Sequence, residues 1–115
     1  MKNSNADLEN LRIDFVSCQK IFTALSDETR QGLLFAMLSG ENSGSRVIDI
    51  AKGTNLSRPA VSHHMQILKD AGLVKTRKEG TCIYYYLEPQ AHEIKKMILL
   101  FQEMQRLTEN MLVSY

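Results

Sequence analysis

The stretch "LSRPAVSHHMQILKDAGLVKTRKEGTCIYYYL", residues 56–87, begins with the periodicity of a helix and ends with that of a β-strand. Three apolar side chains recur at the spacing of one helical face: Val61, Met65 and Leu68. Ser57 is a favoured N-cap residue, Pro59 is tolerated in a first turn, and Gly72 is typical just beyond a helix end. The sequence therefore predicts a helix from about 58 to 71.

The second half of the stretch predicts a β-hairpin with a basic tip. "LVKTRK" and "CIYYYLE" are strand-like, and the intervening "EGT" favours a tight turn at residues 79–81. Strand side chains alternate between two faces. We expect the inward face to hold Ile83, Tyr85 and Leu87. We expect the outward face to hold Cys82, Tyr84 and Tyr86, and Pro89 to end the strand.

The residues before this stretch predict a shorter helix. "RVIDIAKGTNLS", residues 46–57, places Val47, Ile50 and Ala51 on one face, and its Gly-Thr-Asn segment ends the helix. A short helix, a turn, a longer helix and a basic hairpin form the order of a helix-turn-helix followed by a wing. We therefore predict a mainly α fold with a β-hairpin: a winged helix-turn-helix of about five helices and a two-stranded wing.

The outward face of the 58–71 helix carries side chains suited to a DNA major groove. Arginine can bind guanine through two hydrogen bonds and glutamine can pair with adenine, which makes Arg58 and Gln66 candidates for base readout. Ser62 and His63 can donate to bases or phosphates, and the basic hairpin tip suits phosphates or the minor groove. The predicted DNA-binding set is Ser57, Arg58, Pro59, Ser62, His63, Gln66, Arg77 and Lys78.

The charge distribution agrees with this prediction. The net charge is only +1, but residues 58–80 hold five Lys and Arg against two acidic residues. Residues 1–30 hold four Lys and Arg against five acidic residues, and residues 88–115 hold three Lys and Arg against four acidic residues. One basic segment between acidic ends is the asymmetry expected of a nucleic-acid-binding protein, and a solvated charged face is the alternative interpretation. A winged helix used only for protein contacts needs no such basic face. No glycine-rich phosphate loop, HExxH motif or nucleophile elbow indicates an enzyme.

Length and composition favour a cytoplasmic protein without a cofactor. A chain of 115 residues is most simply one domain, 1–115. No apolar run approaches a membrane span, and "MKNSNADLEN" lacks the apolar core of a signal peptide. Cys18 and Cys82 are too few for a disulfide framework and match no zinc motif.

The outer parts of the chain predict dimerisation helices. Six apolar residues recur at steps of three and four: Leu8, Leu11, Phe15, Cys18, Phe22 and Leu25. They predict one helix, after which Ser26 is expected to cap a second helix at 27–39, followed by a loop at 39–45. A last helix is expected at 90–112, where five consecutive apolar residues at 97–101 require burial on more than one side. We expect the first and last helices to form a homodimer; the alternative is a last helix at the centre of the monomer core.

"ALSDETRQGLLFAML", residues 24–38, together with residues 56–87, resembles the ArsR/SmtB family of winged-helix transcriptional repressors over roughly residues 20–88. The resemblance implies a dimeric repressor that binds a palindromic operator in double-stranded DNA. It places Ser62 and His63 at the DNA face and Arg58 and Pro59 at the start of the recognition helix. It also implies release of DNA by an inducer, which the sequence does not identify.

The histidines and cysteines bear on that inducer. His63 faces outward, whereas His64 is turned about 100° toward the domain and is expected to be partly buried, so the pair does not suit one metal ion. Family metal sites use a cysteine pair on the short helix, which is absent here, or carboxylates and histidines on the last helices. The only candidates there are His92, Glu93 and Glu103, and we expect no metal site.

Two interpretations of the signal stay open. A redox-sensing branch of the family uses two cysteines, and Cys18 and Cys82 are the candidates for such a switch here. Cys18 is expected to be a small buried hydrophobe. Cys82 is expected to be more exposed and has basic neighbours, which favour thiol reactivity. The alternatives are therefore a repressor with an unidentified inducer and one switched through Cys82, Cys18 or both, with a metal-responsive repressor the least supported.

Overall fold

The computed structural model describes residues 2–40, 44–88 and 90–112. Within these ranges six helices and two strands follow one another: α1 (Asn5–Ser17), α2 (Gln19–Leu25), α3 (Glu28–Leu38), α4 (Val47–Lys52), α5 (Arg58–Asp70), β1 (Lys75–Glu79), β2 (Cys82–Tyr86) and α6 (His92–Leu112). The predicted mainly α winged helix-turn-helix with a two-stranded wing is confirmed, with one helix more than expected. Of the predicted loop and strand end, residues 41–43 and Pro89 lie outside the described residues.

The chain forms two compact units. One contains α1 and α6, and the other, residues 20–91, contains the elements between them. The second unit is built around α5, whose inner face is buried as predicted, with Val61, Met65 and Leu68 each 0% exposed. Burying a side chain of this size contributes about 1.5–3 kcal/mol, so these three contacts hold α5 in place. The other buried residues of this unit are Ile21, Ala24, Leu33, Ile50, Ala71, Leu73, Val74, Tyr85 and Ala91.

Both ends of α5 are closed by local hydrogen bonds. At the start, the Ser57 hydroxyl accepts a hydrogen bond from the backbone N–H three residues later, at 3.3 Å. At the end, Gly72 adopts a φ of 78°, its N–H donates to the Lys69 carbonyl at 2.9 Å, and the Leu73 N–H donates to the Leu68 carbonyl at 3.0 Å. This is the Schellman arrangement, which reverses the chain toward β1.

The wing is an antiparallel hairpin with a two-residue turn. Lys75 lies opposite Tyr86, and Glu79 lies opposite Cys82. Gly80 begins the turn with a φ of 61°, and a Cβ atom built there would meet nothing within 4 Å. The tip therefore needs the left-handed conformation that glycine adopts without strain, but it has open space around it.

The burial of β2 agrees with the predicted alternation at Tyr85, which is 9% exposed, but not at Ile83. Ile83 was expected to point inward and is 49% exposed. It pairs with Lys78 near the turn. The prediction was wrong because the alternation of side chains shows only which face of the strand a residue lies on. Burial also requires another element packed against that position of the strand.

The segment before α4 is joined to the wing. The Ser45 N–H donates to the Tyr85 carbonyl at 2.9 Å, and the Tyr85 N–H donates to the Ser45 carbonyl at 2.8 Å. Gly44, with a φ of 97°, lies so close that a Cβ atom would be 3.0 Å from both the Tyr85 carbonyl oxygen and Arg77 Nη1. Only glycine fits this close approach without strain.

The single helix predicted from Leu8 to Leu25 is divided in two. α1 ends at Ser17, where the Cys18 N–H donates both to the Asp14 carbonyl at 3.0 Å and to the Phe15 carbonyl at 3.2 Å. A donor shared between the third and fourth preceding carbonyls is the usual tightening at a helix end. The regular spacing of apolar residues continues across the break. The sequence pattern therefore could not show that the helix is divided.

The predicted cap of the next helix was displaced by one residue. Asp27, not Ser26, is the N-cap of α3, and its Oδ2 atom accepts the Arg30 backbone N–H at 3.0 Å. The Ser26 hydroxyl instead donates to the Thr23 carbonyl at 2.8 Å. A carboxylate at this position gains both the hydrogen bond and the attraction of the helix dipole.

The first unit pairs α1 with α6 in opposite directions. Arg106 Nη2 donates to Asp7 at 3.2 Å near one end, and Lys96 Nζ donates to the Ser17 carbonyl at 3.2 Å near the other. The buried residues of α6 are Leu100 and Leu107. Many apolar side chains of the unit are at least 38% exposed: Leu8, Ile13, Val16, Ile94, Ile98, Leu99, Met104 and Leu112. Among the described residues, no helix has the length and apolar character needed to cross a membrane.

Candidate nucleic-acid interface

The outward face of α5 is a continuous exposed surface. The structure brings together on it five of the predicted contact residues, all exposed: Arg58, Pro59, Ser62, His63 and Gln66. At about 100° per residue they fall within an arc of about 140°. We call this set the reading face. The buried Val61, Met65 and Leu68 lie on a different face of the helix, and none of the five exposed residues belongs to that core.

Two predicted residues have partners that affect what they can do. The Ser57 hydroxyl caps α5, so this residue contributes first to the helix start. Gln66 Nε2 donates to Asp70 Oδ1 at 2.8 Å. That bond leaves the amide oxygen and the second amide hydrogen of Gln66 available, which are the acceptor and donor that adenine pairing requires.

The two wing residues predicted to contact DNA differ in their surroundings. Arg77 Nε donates to Glu79 Oε1 at 3.1 Å, and the guanidinium carbon lies 4.8 Å from the centroid of the Tyr84 ring. Lys78, next to it, is exposed. Sequence reasoning missed Glu79 and Tyr84 as partners, although the hairpin register, which places Arg77 opposite Tyr84, contains the signal.

A second contact missed by sequence reasoning lies behind the reading face. Arg30 Nη1 is 3.3 Å from His64 Nδ1, and the Arg30 side chain is 11% exposed. The same guanidinium donates from Nε to the Ala24 carbonyl at 2.9 Å and from Nη2 to the Thr23 carbonyl at 3.1 Å. Chiefly because its carboxylate accepts the Arg30 backbone N–H, the pKa of Asp27 is lowered below its ordinary value. His64 is half-buried, as predicted, and has a partner.

The cysteines lie in different environments. Cys18 is 1% exposed and lines a cavity of about 140 Å³ within the first unit, together with Asp14, Ser17, Lys96, Leu99 and Leu100. Cys82 is half-buried at the start of β2. Arg46 Nε donates to Asp49 Oδ2 at 3.0 Å, and hydrogen bonding to Asp49, and then to Cys82, raises the pKa of Arg46. Within the described ranges, no group of three or more His, Cys, Asp and Glu residues is placed to hold a metal ion.

Comparison with known proteins identifies the family. The sequence model for "Bacterial regulatory protein, arsR family" matches residues 27–76, which run from the N-cap of α3 into β1. An uncharacterised helix-turn-helix transcriptional regulator of Methanocaldococcus jannaschii is 41% identical over 80 residues, covering 69% of this chain and 88% of that protein. The chain belongs to the ArsR family of bacterial regulatory proteins.

Further relatives of this ArsR-family regulator agree. The transcriptional repressor SdpR of Bacillus subtilis is 39% identical over 67 residues, covering 58% of the regulator and 71% of SdpR. The solved structure of an ArsR-like transcriptional regulator from Rhodococcus sp. RHA1 superposes with a TM-score of 0.75, at 25% identity and over 87% of each chain. The resemblance found in the sequence is thus confirmed: the chain is a DNA-binding transcriptional regulator and not an enzyme.

Proposed function

We propose that the regulator is a dimeric repressor that inserts α5 into the major groove of a palindromic operator. The observation that carries this proposal is the reading face, an exposed set of polar and basic side chains on a helix whose opposite face is buried. Arg58 and Gln66 read base edges, and Ser62 and His63 contact bases or phosphates. Ser57 and Pro59 lie at the helix start, the part of a recognition helix that enters the groove first.

The wing supplies the second set of contacts. Arg77 and Lys78 bind neighbouring phosphates or the minor groove. Phosphate contacts fix the position and orientation of the protein, whereas base contacts select the sequence. The wing therefore determines how α5 is seated, and the reading face determines which sequence it accepts.

The first unit forms the dimer. Ile98 and Leu99 are 50% and 63% exposed, and they lie beside the buried Leu100 on a helix that has apolar side chains around most of its circumference. A patch of this kind is typical of a protein–protein interface. A two-fold dimer presents two copies of α5 to two half-sites, which accounts for a palindromic operator.

The test is a gel shift with fragments of the upstream region of the regulator's own gene, against unrelated DNA of equal length at one salt concentration. We expect binding about 10³-fold tighter to one upstream fragment than to unrelated DNA. A reporter gene placed behind that fragment should fall in expression when the regulator is present. Equal affinity for all fragments would contradict sequence-specific binding, and a rise in reporter expression would contradict repression.

A thiol-responsive repressor is the second candidate. The observation that favours it is the position of Cys82, which is half-buried at the start of β2 in the wing. A modified Cys82 would introduce bulk or negative charge into the wing and oppose its contact with phosphates. Cys18, buried in the first unit, would act only as a partner in a disulfide.

A further inference from the structure

We propose that Arg30 is a positioning residue for the recognition helix and that it acts through the unprotonated Nδ1 atom of His64. This inference rests on the proposed function of α5 in reading DNA. It assigns opposite roles to the two adjacent histidines: His63 faces the DNA, and His64 holds the helix from behind.

The guanidinium of Arg30 is fixed before it reaches α5. Its Nε and Nη2 atoms donate to the carbonyls of Ala24 and Thr23 in the last turns of α2. Because a guanidinium is planar and rigid, these two bonds set the direction of the remaining nitrogen, Nη1. That nitrogen lies 3.3 Å from His64 Nδ1. The ends of α2 and α3 are thereby joined to the middle of α5 through one rigid group.

The bond to His64 controls the orientation of the reading face. His64 is adjacent to His63 along α5, and their ring centroids are 5.8 Å apart. Rotation of α5 about its own axis would lengthen the contact between Arg30 and His64 and would turn Arg58 and His63 away from their targets. Functional side chains need support from a second layer of contacts to stay within about 0.5 Å of a productive geometry.

This contact exists in one protonation state of His64. Arginine only donates, so Nδ1 must be the acceptor, and a neutral imidazole then carries its proton on Nε2. Protonation of Nδ1 removes the acceptor and places a second cation against Arg30. The charged or titratable groups of the described contacts around His64 are Arg30 on α3, Asp27 at the N-cap of α3, and His63 on α5 itself.

The two histidines therefore respond to acid in opposite directions. Protonation of His63 adds positive charge at the DNA face and strengthens binding to phosphates. Protonation of His64 breaks the positioning contact and weakens binding. If Arg30 had only a structural role, protonation of His63 and protonation of His64 would not have opposite effects on DNA binding.

The experiment measures operator affinity by fluorescence anisotropy from about pH 8 to about pH 5.5 at constant ionic strength. The His63→Gln variant isolates His64, and we expect its dissociation constant to rise about tenfold on acidification, as for loss of one hydrogen bond to a charged group. In the matched control, His63→Gln with His64→Gln, the glutamine oxygen accepts from Arg30 without titrating. It should bind as His63→Gln does at high pH and stay constant on acidification. Equal pH profiles in the two variants, or tighter binding by His63→Gln in acid, would overturn the proposal.

A second measurement needs no DNA. Ring ¹⁵N NMR of the wild-type protein at about pH 8 should show His64 as the Nε2–H tautomer, because Nδ1 accepts from Arg30. The Nδ1–H tautomer would overturn the inference. Failure of the wild type to bind any operator would instead overturn the proposed function, so the two failures are distinguishable.

Discussion

Arg77 lies over the ring of Tyr84, with its guanidinium carbon 4.8 Å from the ring centroid, and Glu79 fixes the same side chain through a 3.1 Å hydrogen bond. The direction of Arg77 is thus set before any DNA is bound. Lys78, its neighbour, is exposed and keeps the rotational freedom of a long side chain. Arg77 therefore has a fixed side-chain orientation and Lys78 does not. We expect these two adjacent residues to contribute differently to DNA binding.

Replacing Lys78 by alanine should weaken binding to all DNA sequences alike. A lysine that contacts one phosphate releases about one counterion, so the slope of log affinity against log salt should become shallower by about 1. Titrations of operator and unrelated DNA at several salt concentrations measure this. Lys20→Ala, which removes an exposed lysine outside the reading face and the wing, is the control. A loss confined to the operator would contradict the phosphate role of Lys78.

Arg58→Lys should separate charge from base readout. Lysine keeps the positive charge but cannot form the planar two-bond contact with guanine, so operator affinity should fall by about 1–3 kcal/mol. The preference should relax at one position in each half-site, while affinity for unrelated DNA stays the same. Selection from a randomised operator library measures both effects. An unchanged sequence preference would show that Arg58 contacts only the backbone.

Leu99→Glu should convert the dimer into folded monomers. Leu99 is 63% exposed on α6, and a carboxylate placed in a dimer interface would have to be buried without a partner. Light scattering should give twice the mass of one chain for the wild type and a single-chain mass for the variant. Phe35→Glu is the matched control, because Phe35 is 68% exposed on α3 in the other unit. A monomeric wild type would contradict the dimer.

Alanine substitutions at two glycines should differ in cost. Gly80→Ala meets open space and carries only the strain of a left-handed conformation, about 1–2 kcal/mol. Gly44→Ala carries strain and also crowds the Tyr85 carbonyl at 3.0 Å, which adds about 1–3 kcal/mol because backbone gives way poorly. Free energies of unfolding from urea titrations measure the difference. Equal losses of unfolding free energy in the two variants would show that the backbone around Gly44 shifts without cost to make room for the added methyl group.

Thiol reagents should modify Cys82 before Cys18 in the folded protein. Cys82 is half-buried, whereas Cys18 is 1% exposed. Mass spectrometry of timed samples gives the order of modification. DNA binding by the wild type, Cys18→Ser and Cys82→Ser, each reduced and oxidised, then tests the switch. Equal binding in all six samples excludes a thiol signal, and protection by both single variants implies a disulfide.

Sequence reasoning succeeded where local chemistry determines structure. The cap at Ser57, the reversal at Gly72 and the apolar period between them fixed the position of α5 and its two faces to within a residue. The family resemblance carried the function, because a fold of this kind does not by itself specify one. The reading face followed directly, since helical geometry places it on a different face from the buried residues.

Sequence reasoning failed where the outcome depends on the folded surroundings of a residue. Ser26 and Asp27 are both good caps, and which of them is used depends on the Arg30 backbone N–H in the folded turn. His64 was expected to be partly buried, but its partner lies 34 residues earlier in the chain, and no local pattern shows that pairing. The exposure of Ile83 likewise depends on how far the wing extends beyond the neighbouring elements.

The two backbone hydrogen bonds between Ser45 and Tyr85 make the wing part of the same framework as the entry to α4. A hairpin held only by its own ends loses conformational entropy when DNA immobilises it, and that loss reduces affinity. In this regulator much of that loss occurs during folding. The part of the wing around Tyr85 is thereby held beside the entry to α4 before binding, so we expect DNA to adapt its groove width and curvature to the protein. Base pairs that no side chain touches should then affect affinity through the stiffness of the duplex.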